Sequence, residues 1–143
     1  MRARILTLCL VALVCGASAQ GESPNMTGHW NLDVSFAAGG QHSLRFDAQA
    51  EGKGTLQLQD PRSKVWGAVA PSGAKWSLDE ANFVTFSGQV EFLIGNVGRD
   101  AGMLTCKGKF ENPNLITGDV DFSPLVGDRP SKHGTFKAVR ANQ

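Results

Sequence analysis

From Trp30 onward the chain switches between apolar and polar residues with a period of two, in short segments separated by turn-forming residues. Trp30, Leu32, Val34 and Phe36 alternate with Asn31, Asp33 and Ser35; Leu44, Phe46, Ala48 and Ala50 alternate with Ser43, Arg45, Asp47 and Gln49. A period of two gives a strand one dry face and one wet face, so every segment needs a neighbour to cover its dry side. The pattern returns at Leu56 and Leu58, more briefly at Ala74, Trp76 and Leu78, and strongly from Val84 through Phe86, Val90 and Phe92 to Ile94. It continues at Leu104, Cys106 and Phe110, at Ile116, Val120 and Phe122, and finally at Phe136, Ala138 and Arg140. No segment sustains a helical period.

The punctuation between segments fits hairpins. Gly39-Gly40, Glu51-Gly52-Lys53-Gly54, Pro71-Ser72-Gly73 and Asn112-Pro113-Asn114 are turn sequences. Two longer connections remain, Gly95 to Gly102 and Ser123 to Lys132; the second is either a plain solvent loop or, with Arg129 and Lys132, the rim of a pocket mouth. Residues 62–81 alternate least cleanly; Val65 to Ala70 reads as a short strand in which Trp66 suits either face. The count is eight or nine strands joined mostly by local turns, which predicts an antiparallel up-and-down meander. Seven of the eight Phe residues fall on the dry faces, with Phe83 the exception. Such a concentration points to one shared interior, and the fold expected is an all-β barrel of eight or nine strands. A β-sandwich is the rival, but its Greek-key connections need longer crossings than these turns supply.

The first residues carry an address. Arg2 and Arg4 precede a mostly apolar run, Ile5 to Val14, too short to span a bilayer. Ala17-Ser18-Ala19 then fits a cleavage site before Gln20. The expected organisation is a signal peptide over 1–19, an N-terminal extension over 20–27 and one barrel domain over 28–141. The product is expected to be exported, periplasmic or secreted, without membrane insertion after cleavage. It would keep 12 basic and 13 acidic side chains. A charge so near balance, with no basic run, argues against nucleic acid as a partner. Cys9 and Cys15 would leave with the signal peptide, so Cys106 stands alone without a disulfide partner. On the dry side of its strand it reads as a small core hydrophobe.

Gly28-His29-Trp30 at the start of the first strand, together with Arg140 in the last, resembles the calycin arrangement shared by lipocalins and avidins. The resemblance implies a closed barrel in which Trp30 packs against Arg140 where the cylinder shuts. A guanidinium over an indole gains cation–π attraction, more so when desolvated. The ending Gly134-Thr135-Phe136-Lys137-Ala138-Val139-Arg140 and the phrase Leu115 to Phe122 are also similar to a set of small exported bacterial proteins. The lipocalin's helix and disulfide are missing, and the chain has no Tyr with which to build the avidin biotin site.

Chemistry is sparse on the dry faces. His42, Cys106 and Arg140 are the polar groups in inward phase, and no inward Asp or Glu is assigned, which argues against hydrolase chemistry. No catalytic constellation is expected. His29, His42 and His133 are dispersed, so no metal site is predicted and no cofactor is called for. Gly95 to Gly102 leads towards a strand, unlike phosphate-binding loops, which lead into a helix. The expected role is binding of a small hydrophobic ligand inside the barrel, with Trp30, His42, Phe46, Phe86, Phe92, Phe110, Phe122 and Phe136 as its lining. The alternative is a solid-core interaction domain that contacts another exported protein through its loops.

Overall fold

A computed structural model describes residues 24–59, 71–94 and 98–141. The expected signal peptide, the strand at Val65 to Ala70 with Trp66, and the first three residues of the Gly95 to Gly102 connection lie outside the described residues.

Among the described residues eight strands form one closed antiparallel barrel in sequence order: β1 (Gly28–Phe36), β2 (Gln41–Ala48), β3 (Lys53–Leu58), β4 (Ser72–Leu78), β5 (Phe83–Ile94), β6 (Gly98–Asn112), β7 (Leu115–Pro124) and β8 (Lys132–Arg140). Closure comes from β1 pairing with β8, which sets Trp30 opposite Arg140 and Leu32 opposite Ala138. The meander is therefore the expected one with eight strands, and its sheet does not split into the two layers of a sandwich.

Inner and outer faces follow the sequence period. Leu32, Val34, Leu44, Phe46, Val84, Phe86, Leu104, Val120 and Ala138 are buried along the axis. Seven Phe residues are buried, and Phe83 is 52 % exposed on the outside. The outer face carries Asn31, Asp33, Ser43, Arg45, Lys107 and Lys137. Polar-out and apolar-in is the reverse of a membrane-spanning barrel.

Turn chemistry fixes the register. Gly39 and Gly40 take left-handed backbone between β1 and β2. Between β4 and β5, Asp79 accepts hydrogen bonds from the backbone N–H of Ala81 and Phe83, both at 2.9 Å, which lets Asn82 adopt positive φ. Trp76 ties the turn between β2 and β3: its Nε1 donates to the carbonyls of Gln49 (2.8 Å) and Lys53 (2.9 Å).

Several boundaries differ from the sequence reading, those of β4 and β6 among them. β4 begins at Ser72, so Ser72 and Gly73 extend a strand instead of turning, paired with Leu56 and Thr55. β6 begins at Gly98, so five residues expected in a loop, 98–102, are strand, paired with β5 through Phe92–Asp100 and Ile94–Gly98. Cross-strand pairing outweighs the low strand propensity of Gly and Asp.

Candidate functional site

The barrel has two ends of different construction. The lower end holds the start of β1, the turns β2–β3, β4–β5 and β6–β7, and the last residues of β8. The upper end holds the turn β1–β2, the connection β7–β8 and the start of β6.

At the lower end the Arg140 guanidinium lies over the Trp30 ring, 4.3 Å from its centroid. Its Nη1 donates to the carbonyl of Thr27 at 2.9 Å, and its Nη2 to the carbonyls of Pro113 (3.1 Å) and Asn25. Trp30 Nε1 donates to the carbonyl of Met26 at 2.8 Å, and the Met26 side chain is itself buried. Residues 24–27 thus fold back under the barrel and plug it. Gly28 has φ +127, and a Cβ there would meet Arg140 Nη1 at 2.9 Å. The Gly of Gly28-His29-Trp30 is required by its backbone angle, and it lets the Arg140 guanidinium lie close against the backbone.

Above this plug the rings expected to line a ligand site pack on one another. Trp30 meets Phe110 edge-on at 5.9 Å, Phe46 stacks on Phe86 at 4.7 Å, and Phe86 meets Phe136 edge-on at 5.4 Å. The small inward residues make room for rings of the chain itself. A Cβ on Gly108 would lie 2.7 Å from Phe136 Cζ, and one on Gly102 would lie 2.5 Å from Phe122 Cζ. Close packing of this kind is how a small eight-stranded barrel fills its interior.

Cys106 lies in this layer between Phe86 and Val120. Burial, with a smaller contribution from the charge of Asp121, pushes its thiol far above the ordinary range. A thiol that resists ionisation is a poor nucleophile.

Towards the upper end Phe36, Phe92 and Phe122 form a triangle of rings with centroids 5.1 to 6.3 Å apart. His42 stacks on Phe92 at 4.1 Å. Beside Phe92, across the ladder, stands Asp100. Its phase continues that of Leu104 and Gly102, so the side chain points inward, and only 1 % of the residue is exposed. This corrects the expectation of no inward carboxylate. Arg129 Nη2 donates to Asp100 Oδ1 at 2.7 Å, and Lys132 Nζ to Oδ2 at 3.5 Å. Lys132 Nζ also lies 6.0 Å from the centroid of the Phe122 ring.

Against these groups lies a pocket of about 410 Å³. Ala37, Ala38, Pro124 and Pro130 form its apolar walls. Asp100, Arg129, Lys132 and His133 supply its polar edge, with Ser131 between them in sequence. The expected lining residues stand inside the barrel, and the pocket walls come instead from the β1–β2 turn and from the β7–β8 connection with the strand ends that flank it. Neither set of wall residues shows periodicity, which is why the alternation missed them. Asp100 had a usable signal, because counting back by twos from Leu104 reaches it.

The remaining histidines sit on the outer face in carboxylate pairs. His29 Nδ1 bonds Asp47, which also accepts from Arg45 Nε at 3.0 Å. His133 Nδ1 bonds Asp121 across β7 and β8. No group of three or more possible metal ligands is found among the described residues.

Comparison with one solved structure supports the fold. The solved structure of EF1p2_mFAP2b bound to DFHBI superimposes with a TM-score of 0.51 at 9 % identity, covering 80 % of this chain and 93 % of that one. A redesigned beta barrel, b11L5F_LGL, is similar at a TM-score of 0.43 and 12 % identity over 81 % of this chain and 91 % of that one. No protein-family model and no curated protein matches the sequence.

Proposed function

We propose that this chain is an exported β-barrel that binds a small, mainly apolar ligand, and that the ligand enters at the upper end. The pocket of about 410 Å³ against the Phe36–Phe92–Phe122 triangle carries this reading. Its size falls within the roughly 300–1,000 Å³ usual for small-molecule sites, and so does its character of apolar walls with a few polar groups. The packed layers below make the upper end the favoured entrance. A barrel of like fold bound to DFHBI fits such a role. Export rests on the N-terminal sequence: a basic start, a short apolar run and Ala17-Ser18-Ala19.

Titration of the purified protein with an apolar fluorophore tests the proposal. Saturable binding is expected, and Ala38→Trp, which fills the pocket from an exposed turn, is expected to abolish it without lowering Tm. Absence of saturable binding, or full binding by the Trp variant, overturns the site.

A second reading has its own observation. Leu125 and Val126 are exposed at the tip of the β7–β8 connection, an arrangement suited to contact with another exported protein. In that case the fluorophore finds no site and a Leu125→Ser, Val126→Ser variant loses a partner that the parent retains.

A further inference from the structure

We infer that the upper pocket selects amphiphiles carrying a single anionic head group, a carboxylate or sulfonate, held by Arg129 and Lys132. This rests on the pocket being a ligand site and adds the class of ligand.

The donor and acceptor inventory decides the sign. Each oxygen of Asp100 already accepts from a cation, and the residue is 1 % exposed, so it has no face left for an incoming amine. The two cations are in the opposite position. The Arg129 and Lys132 side chains are 51 % and 46 % exposed, and each gives Asp100 a single hydrogen bond. A guanidinium carries five N–H donors and an ammonium three, so both retain donors beyond those that Asp100 takes. The pocket therefore offers unspent donors and a spent acceptor.

Charge points the same way. One carboxylate against two cations leaves a single positive charge at the polar edge. The other ionisable wall residue, His133, is bonded to Asp121, and Asp128 does not line the pocket. A monoanion neutralises the surplus, and an organic cation would double it. Ala37, Ala38, Pro124 and Pro130 offer nothing polar through their side chains, so they suit an alkyl or ring body. Asp100 acts as a positioning residue: it anchors both cations at the edge of the pocket, which lowers the ordering cost of gripping a head group.

Decanoic acid, decanol and decylamine share one tail and differ only in the head, and calorimetric titration at neutral pH reads the selection directly. Decanoate is expected to bind about tenfold more tightly than decanol, the scale of a charge-assisted hydrogen bond, with decylamine weakest. Arg129→Gln with Lys132→Gln keeps donors for Asp100 while removing both charges. The edge then carries the Asp100 charge alone, so the preference is expected to disappear, with decanoate binding no more tightly than decanol. Lys132→Arg, which keeps the charge, should preserve the ratio, and melting curves identify any variant that has lost its fold. Equal binding of decanoate and decanol overturns head-group selection and leaves the apolar pocket standing. Tightest binding by decylamine overturns the sign and makes Asp100 the receptor. If none of the three binds, the pocket itself is not a ligand site and both readings fall.

Discussion

Each end of the barrel holds a charged side chain in hydrogen bonds, Arg140 below and Asp100 above, and the two differ in what supplies their partners. At the lower end Arg140 spends its donors on the carbonyls of Thr27, Asn25 and Pro113, with the Trp30 ring beneath it. Everything that satisfies the charge belongs to backbone or core, so the end is shut. At the upper end the buried charge is Asp100, and its partners are two side chains that stand half in water. The same device, a charge held by hydrogen bonds, is structural where its partners are fixed backbone and adaptable where they are long side chains with donors to spare.

The comparison breaks first at Trp30. Trp30→Ala removes the platform under Arg140, the bond to the Met26 carbonyl and the contact with Phe110 together. Large-to-small changes of this kind cost about 3–5 kcal/mol. Denaturant unfolding should show a loss in that range. A loss below about 1 kcal/mol, the scale of a surface change, would mean that the lower end is not the keystone of closure.

Upper-end substitutions should be asymmetric. Replacing both Arg129 and Lys132 by Ala strands the Asp100 carboxylate in a buried position without a cation, and breaking a buried pair in this way costs about 3 kcal/mol. Asp100→Asn instead removes the buried charge and returns the two half-exposed cations to water, so about 1 kcal/mol is expected. Chemical denaturation of the two variants side by side checks the order. Equal losses would show that the cations are as deeply committed as Arg140, and the contrast between the ends would disappear.

These ends also mark how far the sequence could be read. Alternation and the placement of Phe residues carry the barrel, because burial acts on every second residue and leaves its mark on composition. Gly28, Trp30 and Arg140 were legible as a unit, since each is a residue type with few substitutes in that role. The upper end was legible only in part: Ser123 to Lys132, with Arg129 and Lys132, reads either as a pocket rim or as a plain solvent loop. Ala37, Ala38 and Pro130 occupy connections, where no period exists, Pro124 ends β7, and the Arg129–Asp100 pairing joins residues that only the β6–β7 ladder and the connection after it bring together. Asp100 was hidden by its neighbours: Gly98 and Gly102 look like loop, yet the pairing with β5 continues through them. Ser72 and Gly73 were hidden for the same reason.

The smallest test lies on the outer rim of the lower end, where His29 and Arg45 both bond Asp47. Burial works to raise the Asp47 pKa, but the hydrogen bonds from His29 and Arg45 together with their charges outweigh it and hold the carboxyl below its ordinary value of 3.8. A depressed folded-state pKa contributes stability that is present above the unfolded value and is lost as pH falls through the folded one. The parent should therefore lose part of its stability below about pH 4, the ordinary carboxylate range, and Asp47→Asn should lose correspondingly less there. The Asp47 side chain is 31 % exposed, so screening limits the effect to at most about 1 kcal/mol. Denaturant midpoints between pH 3 and 7, measured for both proteins, read the difference. Parallel curves would place Asp47 outside the energetics of the lower end, whose stability would then rest on Trp30, Arg140 and Met26 alone.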